Sequence, residues 1–145
     1  MLPRWHIIYG ALFVLILGVA APSTPILYLA ALFFAAVFID LDHYFQAVHK
    51  TKRFSLLHAF DYHRKAGKEM LKKEAKGEKP KSDFHAFHTI EFHVLIGVLG
   101  IYWPIFFYLF LGMVFHSFLD LFDLLKAGKV HRREYFFFKW LGNKF

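Results

Sequence analysis

Apolar residues run without an acidic or basic side chain from Ile7 to Ala21 and again from Ile26 to Ile39, and Pro22-Ser23-Thr24-Pro25 separates the two runs. The stretch 2–39 therefore predicts a helical hairpin with a proline-bounded turn. Each arm has about 15 apolar residues where a full span needs ~20, so Trp5, His6 and the Asp40 region must complete the arms in the membrane interface. With Arg4 in front, the first run also has the outline of a signal-peptide core; the second run behind Pro25 favours the hairpin. A third apolar stretch extends from Phe92 to Phe115, with His93 its one interruption. Gly100-Ile101-Tyr102-Trp103-Pro104 breaks it, because Gly and Pro punctuate helices and Tyr and Trp favour the interface. The pattern thus predicts helices over about 5–21, 25–43, 85–100 and 103–125, the last stopping at Ala127-Gly128.

Charge placement orders these helices. Of 18 Lys and Arg, Arg4 precedes the first helix, eleven lie in 44–84 and six in 126–145, while the turns at 22–25 and 100–104 have none. Four spans put every cation on one side, which the positive-inside rule makes cytoplasmic. The expected fold is all-α: a multi-pass protein of the cell membrane with four transmembrane helices in two hairpins. A long basic cytoplasmic loop (44–84), an interfacial tail (126–145) and two cytoplasmic termini complete it. Within the loop, Phe54, Leu57, Phe60, Met70 and Leu71 form a broken apolar stripe among cations, the mark of a helix lying on anionic lipid. Residues 72–82 read as a solvated linker, and 131–140 mixes cations with aromatics as an interfacial anchor.

Composition agrees. In 145 residues, 57% are apolar, 21% aromatic and 20% charged, with twenty Phe, more apolar and less charged than an ordinary soluble domain. The net charge of +7 is absorbed by topology, so no nucleic-acid partner is implied; membrane lipid is. The chain has no Cys, which excludes disulfides and thiolate metal sites.

Polar residues inside such helices are functional candidates by default, because each costs a few kcal/mol to insert. They cluster at three helix ends: Asp40, Asp42 and His43; His85, His88, Glu91 and His93; His116, Asp120 and Asp123. His116, Asp120 and Asp123 sit at i, i+4, i+7 on one helix face, Asp40 and His43 at i, i+3, and His85 and His88 at i, i+3. In the four-span topology all three clusters share one side, with His116 about 10 Å deeper than Asp123 at 1.5 Å per residue. Imidazole with carboxylate and no thiolate suits zinc, iron, manganese or similar divalent ions, one or two of them. The candidate metal ligands are Asp40, Asp42, His43, His85, His88, His93, His116 and Asp120, with Glu91 or Asp123 as catalytic base or orienting partner. His6, His49, His58, His63 and His131 read as surface or interface residues, and Asp61 with His58 as a solvated i, i+3 pair.

Asp40-Leu41-Asp42-His43, the central histidines and Gly112-Met113-Val114-Phe115-His116-Ser117-Phe118-Leu119-Asp120, in this order, resemble the predicted membrane-bound metal-dependent hydrolases of the LexA-regulated inner-membrane type. That family has Asp-x-Asp-His, a central His-Arg-Gly-x-Thr-His and a later Gly-x-x-x-His-x-x-x-Asp. The middle motif departs: His88-Thr89-Ile90-Glu91-Phe92-His93 keeps two His five apart without Arg-Gly, and His85-Ala86-Phe87-His88-Thr89 is a second alignment. The resemblance implies a divalent metal and hydrolysis. The expected function is a metal-dependent hydrolase at the cytoplasmic face, a phosphoesterase or an enzyme of another lipid-like substrate. Alternatives are a divalent-cation transporter, which needs ligands near the midplane, and a di-metal membrane oxidase, which needs repeated His pairs.

Overall fold

The computed structural model describes residues 3–143. Every regular element among them is helical: α1 (Pro3–Ala20), α2 (Ile26–Phe38), α3 (Leu41–Thr51), α4 (Leu56–Glu74), α5 (Ile90–Tyr102), α6 (Pro104–Lys126) and α7 (Phe137–Gly142), with 3-10 turns at Ala86–His88 and Val130–Arg132. Local chemistry sets the ends. Pro25 precedes α2 with φ −57° and ψ 138°, extended backbone that starts a helix cleanly. Thr89 caps α5 by accepting the Phe92 N–H at 3.4 Å, and Pro104 occupies the first turn of α6, where a missing N–H costs nothing. Past Lys126, Gly128 turns the chain away at φ +66°.

α6 is the hub. It packs mainly on α2 and α5, while α1 packs on α2 and also reaches α6. Gly112 makes the α2–α6 crossing close: a Cβ there would overlap the Leu32 carbonyl oxygen and lie 2.9 Å from Ala35 Cβ and 3.0 Å from Ala36 N. Gly100 does the same at the α5–α6 turn, where a Cβ would sit 2.9 Å from the Phe107 backbone.

The interior is small and unusually polar. Its buried apolar side chains include Leu32, Ala35, Ala36, Ile39 and Met113, while His6, Asp42, His85, His88, Thr89, His116 and Asp120 are buried beside them. The exterior carries the large apolar residues, among them Leu15 (66% exposed), Val19 (84%) and Ile26 (80%). Two helical stretches, Ile26–Thr51 and Pro104–Lys126, are long and apolar enough to cross a membrane, whereas Arg4–Ala20 and Ile90–Tyr102 are apolar but shorter. α5, with 13 residues, rises about 20 Å at 1.5 Å per residue.

Two boundaries differ from the sequence reading. The helix expected to run through 43 breaks at 39–40 and restarts as α3. The helix expected from 85 begins only at Ile90, because Thr89 caps it and 86–88 form a tight turn. In the basic segment 44–84 the helix expected along the apolar stripe is present as α4; α3 and α4 pair with each other, and Lys52 at φ +57° turns the chain between them. Leu56 (63%), Leu57 (79%) and Phe60 (62%) point outward from α4.

The segment read as a free linker and the tail read as an anchor hold each other. Arg132 donates two bonds to Glu74 at 2.6 and 2.7 Å. The Ser82 N–H donates to the Arg132 carbonyl at 2.7 Å, and Lys81 pairs with Glu134 at 2.6 Å. The Ile90 N–H reaches the Tyr135 carbonyl at 2.9 Å, and Phe84 stacks on Trp140 with centroids 3.9 Å apart. The tail is a strap across the polar end of the bundle.

Candidate metal centre

Four segments meet at that polar end: the start of α1, the break after α2, the turn before α5 and the second half of α6. Because α6 approaches α2 at Gly112, His116 one turn later reaches across the crossing. Its Nδ1–H donates to the Ala36 carbonyl at 2.8 Å. A carbonyl only accepts, so Nδ1 carries the proton, and in the neutral ring Nε2 presents its lone pair. His88 is held the same way. Its Nδ1–H donates to Asp42 Oδ2 at 3.0 Å, and the same oxygen accepts the Phe87 N–H at 3.1 Å.

The two Nε2 atoms then face each other at 3.4 Å. Asp40 Oδ1 lies 3.3 Å from that of His88 and 3.4 Å from that of His116. Asp120 Oδ2 lies 3.5 Å from His116 Nε2. Four acceptor atoms, from Asp40, His88, His116 and Asp120, converge within 4.8 Å of one another. A tetrahedral ion with bonds of 2.0–2.1 Å has ligand-to-ligand edges of about 3.3–3.4 Å. Four of the six separations, those above, are close to that edge, and all six lie within 4.8 Å. Two carboxylates and two imidazole lone pairs at such range repel unless positive charge, as ring protons or a cation, stands between them; with neutral rings this buried cluster can hold a metal ion.

A second group, Asp42, His43 and His88, can also hold an ion. It shares His88, whose Nδ1 already bonds Asp42. In that arrangement Asp42 orients the ring, as carboxylates behind metal-bound histidines do. Asp42 Oδ1 faces His43 Nδ1 at 2.8 Å, and Asp40 Oδ1 is 3.4 Å from the same nitrogen.

The other candidates lie elsewhere. His85 stacks flat on His43, with centroids 3.6 Å apart and planes 8° apart. Its Nδ1 has no hydrogen-bond partner, and burial pushes its imidazole down to about 3. His93 is engaged at both nitrogens: Nδ1–H donates to the Thr89 carbonyl at 2.8 Å, and Nε2 accepts from the Ser117 hydroxyl at 3.0 Å. It belongs to the α5–α6 packing rather than to either group. Glu91 accepts the Phe137 and Phe138 N–H groups at 2.9 and 3.3 Å, so its carboxylate secures the strap. Asp123 is exposed and belongs to neither group.

Two residues at the centre escaped the sequence reading. His6, expected at a surface, is 1% exposed. It stacks on His116 with centroids 3.8 Å apart and sets Nε2 3.1 Å from Asp120 Oδ1. Arg133, from the strap, donates to Asp120 Oδ2 at 2.6 Å. The signal for His6 was its place in a largely apolar helix; for Arg133 there was none. His63 is also drawn inward, donating Nε2–H to the His43 carbonyl at 2.9 Å. His49 and His58 are exposed. Asp61 pairs with Arg64 and with Lys65 rather than with His58.

No family model matches the chain, and neither a curated protein nor a solved structure matches it.

Proposed function

We propose that this chain is a membrane-embedded, metal-dependent hydrolase whose centre is Asp40, His88, His116 and Asp120. The observation that carries the reading is the closeness of four of the six acceptor separations to the edge of a tetrahedral site, with both imidazoles held through Nδ1 so that Nε2 faces the cluster. The apolar exterior around a polar interior supports a bilayer setting with all four bundle helices, α1, α2, α5 and α6, in the membrane. The absence of Lys and Arg from 22–25 and 100–104 supports a cytoplasmic position for the strap, for α4 and for both termini. The outward Leu56, Leu57 and Phe60 among the cations of α4 suit an anionic lipid surface.

A divalent ion held there supplies Lewis acidity and a water ionised near neutral pH. The chain's own residues do the rest. Asp42 and the Ala36 carbonyl hold the two imidazoles in one tautomer, and Arg133 with His6 fixes the Asp120 carboxylate. His43, 29% exposed with Nδ1 against two carboxylates, is the group suited to take a proton from the attacking water. In phosphoester hydrolysis the water oxygen bonds phosphorus, the P–O bond to the alcohol breaks, and the proton passes to the departing alkoxide. The Asp-x-Asp-His and Gly-x-x-x-His-x-x-x-Asp motifs support hydrolysis over the alternatives.

Metal analysis of detergent-purified protein tests the centre. Near-stoichiometric metal in the wild type, lost in His116→Ala, is expected. Stoichiometric metal in a His116→Ala, Asp120→Ala double variant overturns the site. Metal that moves across proteoliposomes with no hydrolysis of any ester replaces the hydrolase with a transporter.

A further inference from the structure

An apolar groove of about 210 Å³ opens between α2, α5 and α6. Its floor is Ala35, Ile39 and Met113, all buried, and Phe38, Phe87 and Ile96 stand along its walls. Three of these residues adjoin the metal centre along the chain: Ile39 precedes Asp40, Phe87 precedes His88, and Met113 lies three residues before His116. Groove and acceptor cluster therefore lie side by side in the fold, the groove lined by apolar residues alone. The Arg133 guanidinium stands at Asp120 on that cluster, so an anionic group entering beside a bound metal meets a second positive charge.

We propose that the groove seats the hydrocarbon chain of an amphiphilic substrate whose anionic phosphate head lies on the metal centre. The substrate class is thereby a lipid phosphoester rather than a soluble one. Bilayer tails can wet any apolar surface, but a concave apolar groove beside a buried charged cluster orders the molecule: chain along the helices, first polar atoms toward Asp40 and His88. Charge complementarity then selects the head, since a neutral alcohol gains nothing from Arg133 or from a divalent ion. The inference rests on the hydrolase reading for its chemistry, though not for its binding.

The test fills the groove from its wall. Ile96→Trp blocks it, while Leu95→Trp, on the same helix and 53% exposed to the outside, is the control. Metal-loaded proteins in phosphatidylcholine nanodiscs are assayed on hexadecyl phosphate and on p-nitrophenyl phosphate, with metal content measured alongside. The ratio of long-chain to short-chain kcat/KM is expected to fall at least tenfold in Ile96→Trp and to hold in Leu95→Trp. An unchanged ratio in Ile96→Trp with metal retained overturns the groove. If the wild type turns over neither ester, the hydrolase reading fails, and binding decides the groove separately. Saturable retention of hexadecyl phosphate over hexadecanol, lost in Ile96→Trp, supports it; equal retention of the two amphiphiles is bulk partition and overturns it. Should Ile96→Trp lose its metal, Leu109→Trp, from the α6 wall, is read by the same ratio.

Discussion

The His6 ring lies face to face on the His116 ring, with centroids 3.8 Å apart and planes 13° apart, while its Nε2 stands 3.1 Å from Asp120 Oδ1. One side chain from α1 thus supports two members of the centre at once: it fixes the plane of an imidazole and the rotation of a carboxylate. His6→Phe keeps the stack and removes the contact to Asp120, whereas His6→Ala removes both. Loss of a partner behind a metal ligand costs roughly 10–100-fold in metal affinity. Titration against a competing chelator should therefore show His6→Phe weakened by about that factor and His6→Ala weakened further. Equal affinity in all three proteins would leave His6 as packing alone.

The α2–α6 crossing sets the reach of His116. With a Cβ at residue 112, the Leu32 carbonyl and Ala35 must move away, and the helices separate just where the His116 Nδ1–H meets the Ala36 carbonyl at 2.8 Å. Gly112→Ala should cost about 1–3 kcal/mol as overpacking and reduce metal content as well. The separation matters: Gly97→Ala adds a methyl 3.3 Å from the Phe110 ring, a side chain that can turn aside, and should leave metal content intact. A Gly112→Ala protein with full metal and an unchanged melting midpoint would refute the coupling of crossing to site.

Much of the bundle was readable because apolar runs and Pro or Gly breaks are local signals. Pro22 to Pro25 marks the first turn, Trp103-Pro104 the second, and the i, i+4 spacing of His116 and Asp120 already puts them on one face. What was unreadable depends on partners distant in the chain. Glu91 looks like a base in sequence, yet backbone N–H groups of Phe137 and Phe138 claim it, and backbone donors leave no mark in a residue pattern. His93 looks like a ligand until the Thr89 carbonyl and Ser117 occupy its nitrogens. Arg133 reaches Asp120 only because the strap folds back, and His6 is seen at the centre only once α1 is packed on α2 and α6.

The strap delivers Arg133 and is itself tied down by Glu91. Glu91→Ala should free the amides of Phe137 and Phe138, which hydrogen exchange reads as loss of protection in 133–142 while metal content holds. Arg133→Met should do the converse, leaving the strap protected through Glu74–Arg132 and Lys81–Glu134 while turnover of a phosphate ester drops about tenfold, equivalent to about 1.4 kcal/mol of transition-state stabilisation. If Glu91→Ala abolishes turnover with its strap still protected, Glu91 acts chemically and not as a tether.

Acid stability isolates His85. Burial lowers its imidazole from the ordinary 6.5 to about 3, so between those values the unfolded chain binds a proton that the folded protein refuses. Unfolding then takes up protons, and stability falls as the pH is lowered, by about 1.4 kcal/mol per unit from this one group. Above pH 6.5 the ring is neutral in both states and contributes no slope. His85→Phe retains an aromatic ring on His43 and has nothing to titrate. In chelator-treated protein, where no metal competes for the neighbouring groups, the variant's stability should therefore decline less steeply than the wild type's between about pH 6 and pH 4, with the gap closing toward neutrality. Chemical denaturation in detergent at half-unit pH steps measures both slopes. Parallel curves would mean that His85 is protonated in the folded protein, and its stacked place on His43 would then need a charged partner that the neutral ring does not.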